Sequence, residues 1–196
     1  VSGVIAAFFG ISLYMMNKVM KGLGEFYLKQ KQDFMEGVKD SSTLEKYDDR
    51  GYTPLMVAFE KKWSNLIPKI LQKVLELKNP LRVINHVNSA GISALLLAVE
   101  LDDKDSLELL IAAGAEVNKV HMPENQTALM YAALLLKSEA VEVLLNRGAK
   151  VDVKNGDDLT VVESFLKQFR TRISKGQGRE YKIYKLLSER EDDLDE

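Results

Sequence analysis

Few side chains in this chain have the type and spacing that chemistry requires. Its only histidines, His86 and His121, stand far apart, and it has no cysteine. A thiol nucleophile, thiolate metal ligands and a disulfide framework are therefore excluded, and no histidine pair is placed for a metal or a general base. Asp102, Asp103 and Asp105 cluster, but at a predicted helix start, where carboxylates answer the positive end of the helix dipole. Lys175-Gly176-Gln177-Gly178-Arg179 offers glycines and cations to a phosphate. It follows no predicted strand and lacks the spacing of a phosphate loop, so it reads as a flexible basic loop. No Gly-x-Ser-x-Gly or His-Glu-x-x-His is present. The sequence predicts no enzyme, no metal site and no cofactor.

Binding is what remains, and a repeat sets where it could occur. Gly51-Tyr52-Thr53-Pro54-Leu55-Met56-Val57-Ala58 recurs as Gly91-Ile92-Ser93-Ala94-Leu95-Leu96-Leu97-Ala98 and as Asn125-Gln126-Thr127-Ala128-Leu129-Met130-Tyr131-Ala132. A worn fourth copy runs from Asp158-Leu159-Thr160 to Phe165. The hydroxyl residues Thr53, Ser93, Thr127 and Thr160 are 40, 34 and 33 residues apart, and Gly114-Ala115 and Gly148-Ala149 add a second marker 34 apart. Such a period means stacked supersecondary units, each too small to bury its own apolar face.

On these residues the chain resembles the ankyrin repeat family. The resemblance implies an all-α solenoid of turn-plus-two-helix repeats, here preceded by a long N-terminal helix. The repeats are placed at 47–85, 86–118, 119–153 and 154–190, after a transmembrane helix (1–21) and a linking, capping helix (22–46), with an acidic tail at 191–196. In the first repeat Thr53 is a good N-cap and Pro54 suits the first helical position. Its second helix is expected to run unusually long, from about Asn65 to Ile84, which would explain the first interval. The third repeat's turn is one residue longer, through Met122-Pro123. The fourth is expected to hold a polar insertion, Arg170 to Arg179, between its helices, as an atypical terminal repeat. The family's Thr-Pro-Leu-His is complete nowhere: Met56, Leu96, Met130 and Glu163 stand in place of the histidine, and proline survives only at Pro54.

The same resemblance implies a partner-binding groove made of turn tips and the exposed side of the first helices. Carried over, its positions are Arg50, Tyr52, Glu60 and Lys61 in the first repeat, and Ser89, Ile92, Glu100 and Leu101 in the second. The third contributes Glu124, Gln126, Leu134 and Leu135, and the fourth Asp157 and Leu159. Six of these are large and apolar or aromatic, more than a solvated surface needs, and exposed contiguous apolar surface marks an interface.

Residues 1–17 carry no charge, and Lys18 and Lys21 follow at once. As a helix the run spans roughly 25 Å, slightly under a bilayer core. Because its basic residues follow the apolar stretch, it reads as a retained membrane helix rather than a signal peptide, with an amphipathic or core helix as the alternative. Val1 is not an initiator methionine, so a mature or truncated form is expected. Gly3, Ala7, Gly10 and Tyr14 share one face on which neighbouring membrane helices could pack closely. Lys18, Lys21, Lys29 and Lys31 would put the repeats on the cytoplasmic, matrix or stromal side.

The chain has 196 residues, 46% of them hydrophobic and 29% charged, enough for one domain with an appendage. A net charge of −2 gives no general pull toward nucleic acid. The one basic stretch, Lys167 to Lys185, could meet anionic lipid or an acidic subunit; the alternative is a solvated loop. Together these readings predict a non-enzymatic, membrane-anchored scaffold for a protein partner, such as an accessory subunit of a larger organellar membrane complex. A reversible enzyme regulator or a secreted bacterial effector with eukaryote-like repeats is the alternative.

Overall fold

The computed structural model describes the backbone of residues 2–38, 41–122, 124–174 and 176–192, and the side chains of 18–38, 42–122, 124–174 and 176–191. The chain divides into two compact parts, Val1–Thr43 and Leu44–Glu196.

The first part is dominated by α1, Ser2–Gly37, one continuous helix that runs through Gly22 and Gly24 without a break. Met20, Leu23, Phe26 and Leu28 are each more than half exposed on it. Among the described residues no helix is long and apolar enough to cross a membrane. This overturns the expectation of a single-pass membrane protein with the repeats on the inner side. From Lys18 onward α1 carries Lys18, Lys21, Glu25, Lys29, Lys31, Asp33 and Glu36, close to one charge per turn. Each would cost about 2.5–3.5 kcal/mol at a bilayer centre. The side chains of Gly3, Ala7, Gly10 and Tyr14, with the packing face and lipid contact assigned to them, lie outside the described residues.

A short α2, Ser41–Leu44, leads to the repeats. Their first helices are α3 (Pro54–Glu60), α6 (Ala94–Leu101), α8 (Ala128–Leu134) and α10 (Val161–Ile173). Their second helices are α4 (Ile67–Leu75), α7 (Lys104–Ala112), α9 (Ser138–Asn146) and α11 (Gly178–Asp192), and α5 (Pro80–Ile84) follows α4. Each first helix packs on the next first helix, each second helix on the next second helix, and the two helices of a repeat on one another. This is a stack in which every repeat touches only its neighbours. Between the two rows Leu55, Phe59, Ile70, Leu95, Leu110, Leu129, Leu144 and Phe165 are almost fully buried.

The repeated hydroxyls start the first helices. Thr53, Ser93, Thr127 and Thr160 are extended at the N-cap, and each accepts a hydrogen bond from the amide three residues on. In the fourth repeat Glu163 returns the bond to the Thr160 amide, which completes a capping box. Two residues before each hydroxyl the backbone is left-handed: Gly51, Gly91, Asn125 and Asp158 have φ of 76°, 77°, 52° and 59°. Nine residues after it the first three repeats turn left-handed again, at Lys62, Asp102 and Leu136. The corresponding residue of the fourth repeat is Phe169, which stays helical and buried, so α10 runs on to Ile173.

Two expectations change. The long second helix of the first repeat is broken, α4 ending at Leu75 and α5 beginning at Pro80. Proline cannot donate into the helical ladder and pushes its predecessor out of the helical region, and Asn79 sits at φ −136°, ψ 77°. The polar insertion of the fourth repeat is mostly helix, and only 174–177 separates α10 from α11.

Candidate functional site

In the first, second and fourth repeats the turn before the first helix is built by one side chain. The Asp48 carboxylate accepts from the amides of Arg50 (2.9 Å) and Tyr52 (2.8 Å). Asn88 does the same with Ala90 (3.1 Å) and Ile92 (2.9 Å), and Asn155 with Asp157 and Leu159 (both 3.0 Å). Each also pairs its own amide with the carbonyl four residues on. These Asx turns hold the loop tips rigid. In the third repeat the corresponding residue is Met122, which has no side chain for the task. There the chain forms a two-residue hairpin ladder instead, β1 (Val120–His121) with β2 (Gln126–Thr127), pairing His121 with Gln126.

The consequence is a cleft of about 580 Å³ between the turns and first helices of the first three repeats. The groove positions Tyr52, Glu60, Ile92, Glu100, Glu124 and Gln126 come together on its walls. Leu96, His121, Met122 and Tyr131 also line it and were not anticipated from the sequence. Tyr131 had a legible signal, because it lies one turn before Leu134 on the same helix face. His121 had none: it occupies the irregular turn, where repeat phase gives no guidance.

One wall is tightly held. Arg50 donates to both Asp48 and Glu60, and its guanidinium lies 4.4 Å from the Tyr52 ring centroid. Tyr52 is consequently 8% exposed, a buried anchor of the wall. Burial, joined by the Glu60 charge, raises the Tyr52 hydroxyl above its usual pKa. Tyr131 is raised by burial and by the Glu100 charge. Across the cleft Gly91 meets the Met122 carbonyl so closely that a Cβ there would fall 1.6 Å from its oxygen.

His121 is 4% exposed, and its ring nitrogens are closed off from solvent. Burial lowers its pKa below the ordinary 6.5; the Gly91 backbone opposes this and the Lys119 charge adds to it. A neutral imidazole therefore backs an otherwise acidic cleft. Glu60 is paired with Arg50, whereas Glu100 and Glu124 form no ion pair among the described residues.

The remaining positions lie apart from this cleft. Leu101 lines a smaller hollow with Glu60 and Glu100. Lys61 is exposed beside Glu60 at 4.0 Å, and Ser89 is exposed at a turn tip. Leu134 is half-buried and Leu135 is 41% exposed at the end of α8. Asp157 pairs with Lys167 at 3.4 Å, and Leu159 is half-buried. In the basic stretch Lys167, Arg172, Lys182 and Lys185 each meet a carboxylate, from Asp157, Glu180, Glu142 and Glu189. Its positive charge is thus largely answered within the chain.

A family model for ankyrin repeats (3 copies) matches residues 71–155, from within α4 through the second and third repeats. The matched segment holds the hydroxyl N-caps at Ser93 and Thr127, the left-handed turns and the paired helix rows described above. The segment 71–155 is thereby identified as ankyrin repeats.

Proposed function

We propose that this chain is a non-enzymatic protein-interaction module whose partner seats on the face formed by the turn tips and first helices of the repeats. The observation that carries this reading is the cleft across three successive repeats, in which six groove positions converge. Ankyrin repeats are typically interaction modules, and a stack of near-identical turns presents an extended surface rather than a reaction centre. Tyr131, Leu96 and Ile92 supply apolar area, and Glu100, Glu124 and Gln126 supply orientation. That mixture of an apolar body and a few convergent polar groups suits recognition.

The test is a photocrosslinking amino acid placed at Ile92 or at Leu135, with Leu109 on the outer row as the control. Expected are crosslinks to the same partner from the first two positions and none from Leu109. Crosslinks from Leu109 alone would place the partner on the opposite row and overturn the reading. Ile92→Asp should abolish the crosslink at Leu135 while helicity is unchanged.

A further inference from the structure

The cleft combines three features that a bare protein groove does not need. Glu100 and Glu124 line it without an ion-pair partner among the described residues. Tyr131 adds an aromatic side chain beside Glu100, and Tyr52 another on the far wall. His121 lines it at 4% exposure, its ring nitrogens closed off from solvent. The chain itself displays how a cation is held here. Arg50 lies over the Tyr52 ring while its guanidinium forks onto Glu60 and Asp48. Elsewhere in the cleft the same parts recur, an aromatic ring (Tyr131) and carboxylates (Glu100 and Glu124).

We propose that the cleft takes an arginine side chain from the partner, with Glu100 and Glu124 as its counter-charges. This deepens the interaction reading and rests on it. A guanidinium is planar, delocalised and weakly hydrated, so it stacks on an aromatic face and donates in two directions at once. Lysine, a compact and strongly hydrated ammonium, fits a stacked, bidentate site less well. Because burial favours the neutral form of His121, the imidazole in the wall does not repel the incoming cation. The neighbouring charges agree: Glu60, Glu100 and Glu124 face the cleft, and among the described residues no lysine or arginine lines it.

The test uses the full chain, isotope-labelled, and three small probes followed by NMR: N-acetyl-argininamide, N-acetyl-lysinamide and the neutral isostere N-acetyl-citrullinamide. Argininamide should give saturable shifts at the His121 ring, Gln126 and Tyr131. Lysinamide should bind more weakly and citrullinamide not at all. Glu100→Gln should weaken argininamide about tenfold, as expected for loss of a charge-assisted contact. Glu108→Gln, on the outer row, is the charge-matched control and should leave it unchanged. Equal binding of citrullinamide would overturn the inference. So would shifts centred away from the cleft, or an equal effect of the two glutamine variants. A partner that crosslinks at Ile92 but ignores Glu100→Gln would overturn it too, while leaving the interaction reading in place. Crosslinks from Leu109 alone would overturn that reading itself.

Discussion

Asn85 and Asn118 make the same two hydrogen bonds one repeat apart. Asn85 donates to the Gly114 carbonyl (3.0 Å) and accepts from the Glu116 amide (2.9 Å). Asn118 donates to the Gly148 carbonyl (3.0 Å) and accepts from the Lys150 amide (2.8 Å). Each asparagine ties the end of one repeat to the glycine that ends the helix of the next. In a stack stabilised by nearest neighbours these are interface terms.

Asn85→Ala and Asn118→Ala should each therefore lower stability by about 1 kcal/mol, the usual net worth of such bonds. The sites share no partner, so the double variant should lose the sum. Urea unfolding followed by circular dichroism measures this. A loss well short of the sum would show that the two interfaces are not independent.

The left-handed turns predict changes of opposite sign. Lys62 is exposed at φ 55°, where a Cβ is strained, so Lys62→Gly should raise stability by about 0.5–1 kcal/mol. Gly91 is also left-handed, but a side chain there collides with the Met122 carbonyl. Gly91→Ala should lower the melting temperature and reshape the cleft wall. Thermal melts of the two variants moving in the same direction would contradict the assignment.

Buried His121 predicts a pH dependence. Its folded pKa lies below the unfolded value of about 6.5, so on acidification the unfolded chain takes up the proton first. Its contribution is fully present above about pH 6.5 and is lost as pH falls from there toward the folded pKa. The groups sharing its surroundings are Lys119, Glu60, Glu100, Glu124, Tyr52 and Tyr131. The melting temperature should fall from pH 7.5 to 5.5 by more in the native chain than in His121→Asn. Parallel profiles would refute the attribution.

The capping box at Thr160 and Glu163 holds the start of the last first helix, with Thr160 N to Glu163 Oε2 at 2.8 Å. Thr160→Ala should cost about 1 kcal/mol. Hydrogen exchange should quicken first at the amides of 162–164, because losing a cap frays the first turn. Protection unchanged there would mean that tertiary packing alone secures α10.

Much of the stack was legible because its signals are local. A hydroxyl before an apolar helix, a glycine two residues earlier and a Gly-Ala after the second helix each act within a few residues of themselves, and the period of 33 to 40 multiplied them. Where a rule of equal locality was overlooked, the reading failed. Pro80 splits the helix that periodicity had carried past it. The apolar start of the chain was read as a membrane span, whereas α1 carries a charge at nearly every turn from Lys18 onward and no helix among the described residues is long and apolar enough to cross a membrane.

By itself the sequence determined the repeats, their N-caps, the order of the helices and the absence of a thiol or histidine-pair chemistry, since these depend on residue type and spacing along one stretch of chain. The tertiary structure alone decided which groove positions meet. Tyr52 turned inward beneath Arg50, Leu135 stayed apart, and Glu100 of one repeat came to share a cleft with Glu124 and His121 of the next. Those relations cross repeats, and they depend on how far a turn lacking its Asx side chain lets neighbouring loops approach. That distance is set by packing between segments 30 to 40 residues apart, which local residue type does not encode.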